Sequence, residues 1–150
     1  MLPGRKALPH EIPAWAGNGA LFFITLCATP RGDNQLCHPD TAVWLLDSLA
    51  FRERRGDWRI SLVLLMPDHL HALMAFPPTP GMKASLTSWK HFTSRIRNIQ
   101  WQRDFFEHRL RNDENVIEKS HYIRMNPVRA GLIDKPESWP YVWSPSAVAR

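Results

Sequence analysis

The chain has 150 residues, 44% of them apolar and 22% charged, which fits one globular domain with its own core and argues against a disordered chain. No apolar run approaches the roughly 20 residues that span a bilayer, so neither a helical membrane protein nor a membrane partner is expected. The net charge of +5 suits a nucleic-acid partner, although a solvated basic surface gives the same balance.

Residues 1–18 carry scattered Pro, Gly and charge with few branched apolar residues, the pattern of a flexible arm, and residues 19–150 read as one domain. Phe22 to Ala28 is rich in Phe, Ile and Thr and predicts a strand; no small-residue cleavage pattern follows it, which argues against a signal peptide. Pro30, Gly32, Asp33, Asn34 and Pro39 predict a loop over 29–39. Asp40 can cap a helix reaching about Arg55, with Val43, Leu46 and Leu49 as its apolar stripe and Gly56 as its stop. Trp58 to Leu65 is apolar nearly throughout, as a central strand covered on both faces would be. Pro67-Asp68 is turn chemistry, and His69 to Phe76 returns as the second arm of a hairpin. After a break rich in Pro and Gly, residues 82–99 predict a long helix with Leu86, Trp89, Phe92, Ile96 and Ile99 along one side. Trp101 to Phe106 is a candidate fourth strand. A last helix starts near Asn112 or Asp113 and runs to about Asn126, where Pro127 predicts a kink or stop. The Pro- and Trp-rich remainder from Lys135 predicts an irregular tail. This order matches an α+β, ferredoxin-like split βαβ sandwich, an antiparallel sheet with helices on one face, followed here by one additional helix.

Four features could carry chemistry. His69 and His71 are two apart on a strand, so both imidazoles project from one sheet face, while Leu70, Ala72, Met74 and Phe76 form the opposite, core face. Two such rings can ligate one metal; on spacing alone they read equally as partly exposed histidines beside a turn. Tyr122 and Asn126 are four apart and share a helix face. A phenol is a nucleophile only with help in losing its proton, and a carboxamide one turn away could complete a metal site; by themselves the two residues also suit a core ring and a helix end. Lys83, Lys90 and Arg97 are spaced by seven along one side of the 82–99 helix, and with Arg103 could follow a phosphate backbone or line a solvated face. Most of the seven tryptophans fit core anchors better than stacking platforms for bases. Glu107 and His108 are compatible with acid–base work or with loop-stabilising hydrogen bonds, and no catalytic role is assigned to them. Cys27 and Cys37 form no CxxC pair, as expected of a reduced cytosolic protein.

Taken together these residues resemble a known family. Met66-Pro67-Asp68-His69-Leu70-His71 resembles the HUH motif of the single-tyrosine, IS200-like transposases. The run from His121 through Tyr122, Asn126, Pro127 and Arg129 to Leu132 is similar to the tyrosine helix of the REP-associated tyrosine transposases, and its NPVRAGL portion is the most specific part. Trp101 to Arg111 and the closing Pro136-Glu137-Ser138-Trp139-Pro140 with Trp143-Ser144 are also similar to that group. The likeness spans roughly residues 20–145; Glu107 stands where the family usually has Asp, and the arm with Pro13 and Trp15 has no counterpart in it.

The resemblance implies a ferredoxin-like fold with the site on the open sheet face. It implies Tyr122 as nucleophile, and His69 and His71 as ligands of Mg2+ or Mn2+ with Asn126 as a candidate third. The substrate it implies is single-stranded DNA next to a palindromic hairpin, cleaved and rejoined through a 5′-phosphotyrosine by a monomer or homodimer in the bacterial cytoplasm, at the nucleoid. Histidine must be neutral to ligate, so activity is expected to fall below about pH 6. Two rival readings are a catalytically silent DNA-hairpin-binding protein and a structural zinc protein using Cys37, His38, His69 and His71.

Overall fold

The computed structural model describes residues 20–111 and 113–145; the arm expected over 1–18 lies outside the described residues. Its elements are β1 (Leu21–Cys27), α1 (Pro39–Arg55), β2 (Arg59–Met66), β3 (His69–Ala75), α2 (Met82–Arg97), β4 (Phe106–Leu110), α3 (Asp113–Arg129), a 3-10 turn at Pro136–Ser138 and β5 (Val142–Trp143). The strands form one sheet in the order β4-β1-β3-β2-β5, with every neighbouring pair antiparallel. Strands β1 to β4 with α1 and α2 are the expected ferredoxin-like sandwich.

The hairpin registers of β3 with β1 and β2 divide the sheet into two faces. Ile24, Leu26, Val63, Leu70 and Ala72 point one way, into the apolar layer formed with Leu49 of α1 and Leu86 and Trp89 of α2. Phe23, Thr25, Leu64, His69, His71 and Leu73 point the other way, and α3 packs on that side, its Tyr122 against Phe23 and His71. The helices therefore occupy both faces, two on the core side and the tyrosine helix on the histidine side.

Local chemistry explains the element ends. Pro39 opens α1 at a position whose amide needs no partner, and Asp40 lies in the first turn, where its charge meets the positive end of the helix. The N-cap is thus His38 and not Asp40. Gly56 closes α1 at φ +96°, with its amide on the Glu53 carbonyl at 3.0 Å and that of Asp57 on the Arg52 carbonyl at 3.0 Å; this Schellman arrangement needs a left-handed residue.

Several boundaries and faces differ from the sequence expectations. In α1 the buried residues are Ala42, Leu45, Leu49 and Ala50, while Val43 is 59% exposed; several registers of an apolar stripe fit this Leu-rich helix, and packing selects one. In α2 Ile96 is 52% exposed, and Ile99 is buried only after the helix has ended at Asn98. The fourth strand begins at Phe106, not Trp101. Trp101 makes an isolated bridge to Ala28 and donates its indole N–H to Thr93 at 2.8 Å, so it anchors the loop before β4. The tail is not wholly irregular, because β5 pairs with β2 and Trp139 donates to the Leu65 carbonyl at 3.0 Å.

The largest correction concerns α3, which continues through Pro127 to Arg129. The proline removes one amide donor, from the bond to Ile123, but the stop signal is Gly131 at φ +77°. The Gly131 amide bonds Val128 at 3.0 Å and the Leu132 amide bonds the Pro127 carbonyl at 2.9 Å, the same closure as in α1.

Leu26 is 1% exposed at the centre of the core layer. Leu26→Ala should lower unfolding free energy by about 2–5 kcal/mol, measured by urea denaturation; a loss well under 1 kcal/mol would contradict the burial described.

Candidate active site

Strand alternation places His69 and His71 on one face, and their rings lie 4.8 Å apart, centre to centre. Each ring is held through Nδ1. The His69 Nδ1 lies 2.9 Å from the Asp68 carboxylate, which can only accept, so the ring donates there and the Nε2 lone pair is left for a ligand. The His71 Nδ1 lies 2.9 Å from the Thr25 hydroxyl on β1, its partner in the strand register. The His71 ring also stacks on Phe23, with centres 5.3 Å apart and an interplanar angle of 25°.

Asp68 is itself tied down. It accepts from Arg31 Nε at 3.0 Å and from the Gly32 amide at 2.7 Å. Burial works to raise its pKa, but the hydrogen bonds from Arg31, His69 and Gly32, with the Arg31 charge, prevail and hold it well below the usual carboxylate range. An ionised Asp68 therefore orients His69, and the loop before α1 orients Asp68. His71 is 7% exposed. Burial first, then the charges of His69, Arg129 and Lys119, push its pKa down to about 3. Burial therefore favours the neutral, ligating form of His71.

Helix α3 brings Tyr122 to this face within the same chain. Its ring centre is 6.2 Å from that of His71 and 6.2 Å from that of Phe23, edge-on to both. The residue is 45% exposed, so part of its surface is open to solvent. Ile123 beside it is fully buried and anchors the helix. Asn126, one turn on, is half-buried. Two histidines with secured Nδ1 atoms, and a carboxylate behind one of them, are donors of a kind that would fit a divalent ion.

The four basic residues singled out along the sequence do not join this group. Helix α2 packs on the opposite sheet face. Lys90 is 8% exposed and donates to the Arg103 carbonyl at 2.9 Å, so it does not form a solvated row with its neighbours. Arg97 stacks over Trp44 at 5.0 Å and lies 3.9 Å from Asp40. Lys83 and Arg103 are exposed. Glu107 and His108 are exposed on the edge strand β4 and point to opposite faces, His108 to that of Tyr122. Cys37 is buried with its thiol pushed up to about 12 by that burial, and His38 bonds the Asn34 carbonyl. Among the described residues no three His, Cys, Asp or Glu side chains form a metal-binding group, and the structure does not gather Cys37 and His38 with His69 and His71.

Sequence reasoning missed Thr25, Asp68, Lys119 and Arg129. Thr25 had no signal, because strand register is a tertiary property. Asp68 adjoins His69, and Lys119 and Arg129 stand three before and seven after Tyr122, spacings that mark one helix face.

No family model matches the chain. A Haemophilus influenzae protein named "Putative REP-associated tyrosine transposase" is 30% identical over 147 residues, covering 82% of this chain and 78% of that protein. The REP-associated tyrosine transposase of Escherichia coli is 30% identical over 104 residues, covering 65% of this chain and 61% of its own length. A solved structure of a REP-associated tyrosine transposase bound to a REP hairpin matches with a TM-score of 0.74 at 24% identity, over 88% of this chain and 81% of that one; at that identity the likeness speaks for the fold. With identity sustained over most of both lengths, the chain belongs to the family of REP-associated tyrosine transposases.

Proposed function

We propose that this transposase is a metal-dependent single-strand DNA transesterase, cleaving and rejoining DNA beside REP-like hairpins through a 5′-phosphotyrosine intermediate. The observation that carries this reading is the Tyr122 ring 6.2 Å from His71, on the sheet face that also holds His69. The complex of the related transposase with a REP hairpin supports the choice of DNA.

Tyr122 is the nucleophile. Its oxygen forms a bond to phosphorus as the bond from phosphorus to the 3′ oxygen breaks. The phenol proton is given up and the leaving 3′ oxygen takes up a proton, so the products are a 5′-phosphotyrosine and a free 3′-hydroxyl. No water is consumed, and the phosphotyrosine keeps the bond free energy for rejoining. His69 and His71 would hold Mg2+ or Mn2+, with Asn126 as a third ligand; bound there, the ion supplies positive charge to the non-bridging phosphate oxygens and a fixed orientation for in-line attack. Imidazole ligands suit transition ions better than Mg2+, which favours Mn2+. A single strand is required because its backbone can bend to the phenol and its bases can stack on exposed rings; Phe106, 57% exposed and 6.1 Å from Phe23, is such a ring. The chain holds its own tyrosine beside its own histidines, which suits action as a monomer or as a homodimer with two complete sites. The work of such an enzyme lies in the bacterial cytoplasm, on the nucleoid. Among the described residues no helix is long and apolar enough to cross a membrane.

Incubation with a labelled single-stranded hairpin and Mn2+ should give a protein–DNA band that survives denaturant. Tyr122→Phe should lose that band entirely while binding the hairpin nearly as well, and a full-strength band from this variant would remove Tyr122 as nucleophile. Asp68→Ala should weaken Mn2+ binding by about 10- to 100-fold, as loss of a carboxylate behind a ligating histidine does; calorimetric titration showing unchanged affinity would contradict the orienting role.

A pH effect follows from His71. It stays neutral in the folded chain down to about pH 3, whereas an unfolded histidine takes up its proton near pH 6.5. The unfolded state therefore binds more protons in that window, and the stability of the metal-free protein falls as pH drops through it. Urea denaturation in chelator should show lower stability at pH 5 than at pH 7, with a smaller difference in His71→Gln. Equal differences in the two proteins would contradict the burial of a neutral ring.

A further inference from the structure

Lys119, Tyr122, Asn126 and Arg129 follow one another at intervals of three, four and three, so they share one side of α3. The Lys119 ammonium lies 5.3 Å from the centre of the Tyr122 ring and 4.9 Å from that of Phe23. The Arg129 guanidinium carbon lies 4.2 Å from the Tyr122 ring centre, and its Nη2 donates to the Tyr122 carbonyl at 2.8 Å. That bond uses one of five guanidinium N–H donors and leaves the rest of the fork available. The phenol is thus flanked by a cation on its N-terminal side and another on its C-terminal side.

Neither cation is paired with a carboxylate among the described residues, whereas Arg31, Arg55 and Arg97 all are. The aromatic faces hold both cations without neutralising them, so two uncompensated positive charges, with no acidic group between them among the described residues, present a field that favours an anion.

We propose that Lys119 and Arg129 form a two-sided clamp on the scissile phosphate, receiving its non-bridging oxygens from either side of Tyr122. This rests on Tyr122 as the attacking group. The phosphodiester carries one negative charge and gains a second as the phenolate oxygen adds, so cations fixed beforehand stabilise the transition state more than the ground state. Arg129 also holds the ring by stacking on it while bonded to the carbonyl of the same residue, so the charge and the nucleophile are positioned by one contact.

The test uses the full chain, a single-stranded oligonucleotide with a hairpin, and two readouts. Lys119→Gln and Arg129→Gln should each slow adduct formation about 100-fold or more, as loss of one preorganised charge-stabilising donor does. Arg129→Lys should recover much of the loss, because the charge returns without the planar fork. In a Tyr122→Phe background, where no adduct forms, the double Gln variant should bind the oligonucleotide with a salt dependence shallower by about 0.7 in the log–log slope, the value for one phosphate contact on a single strand. Adduct formation at the wild-type rate by both Gln variants would overturn the clamp. An unchanged salt slope would also overturn it, and with Arg129→Lys as slow as Arg129→Gln would leave Arg129 as a contact that only orients the ring. The salt readout involves no chemistry. A wild-type chain that makes no adduct while the slope still shifts would defeat the transesterase reading and leave the clamp standing.

Discussion

A slip of one residue between β3 and β1 would turn His69 and His71 into the core and Leu70 and Ala72 out towards Tyr122, since side chains alternate across a strand. The register that prevents it is fixed by burial on one face and by aromatic and hydroxyl contacts on the other. Leu70 and Ala72 are 2% and 1% exposed in the layer beneath α1 and α2. On the other side, Thr25 meets the His71 Nδ1, and Phe23 lies under the His71 ring and against the edge of Tyr122. The same pairing of strands that closes the core therefore orients the imidazoles and seats the tyrosine helix.

Charge is segregated across the site. On the Asp68 side an ionised carboxylate, held by Arg31 and the Gly32 amide, faces His69. On the α3 side Lys119 and Arg129 flank the phenol. His71 sits between them, buried and neutral. Under the proposed function the imidazoles, with the carboxylate behind them, would hold the divalent cation, and Lys119 and Arg129 would face the phosphate beside the phenol.

Much of this was legible in the chain. The strand, helix, strand, strand, helix, strand order gave the ferredoxin-like fold because the breaks up to the second helix each carry Gly or Pro, whereas the segment before the fourth strand has neither and its start was misplaced. The His-x-His spacing gave a shared face because the period of a strand is two. What escaped was set by tertiary contacts. The buried stripe of α1 could not be chosen among its closely spaced apolar residues, and half of it proved to be alanine. Lys90 read as part of a surface row, yet its ammonium turns in to the Arg103 carbonyl. Pro127 looked like the end of the tyrosine helix, but Gly131 supplies the left-handed turn that ends it, and the added turn carries Arg129 back over Tyr122. The hydroxyl that holds His71 came from a strand 46 positions away, which no local pattern reveals.

The central claim is that the Tyr122 phenol and a metal held by His69 and His71 share one site within one chain, and paramagnetic fluorine NMR tests it directly. The sequence has two tyrosines, Tyr122 and Tyr141, so fluorotyrosine labelling gives two signals, assigned with Tyr122→Phe. Mn2+ should broaden the Tyr122 signal beyond detection in the wild-type chain and leave it sharp in His69→Ala. A Tyr122 signal that stays sharp at saturating Mn2+ in the wild-type protein would contradict the account.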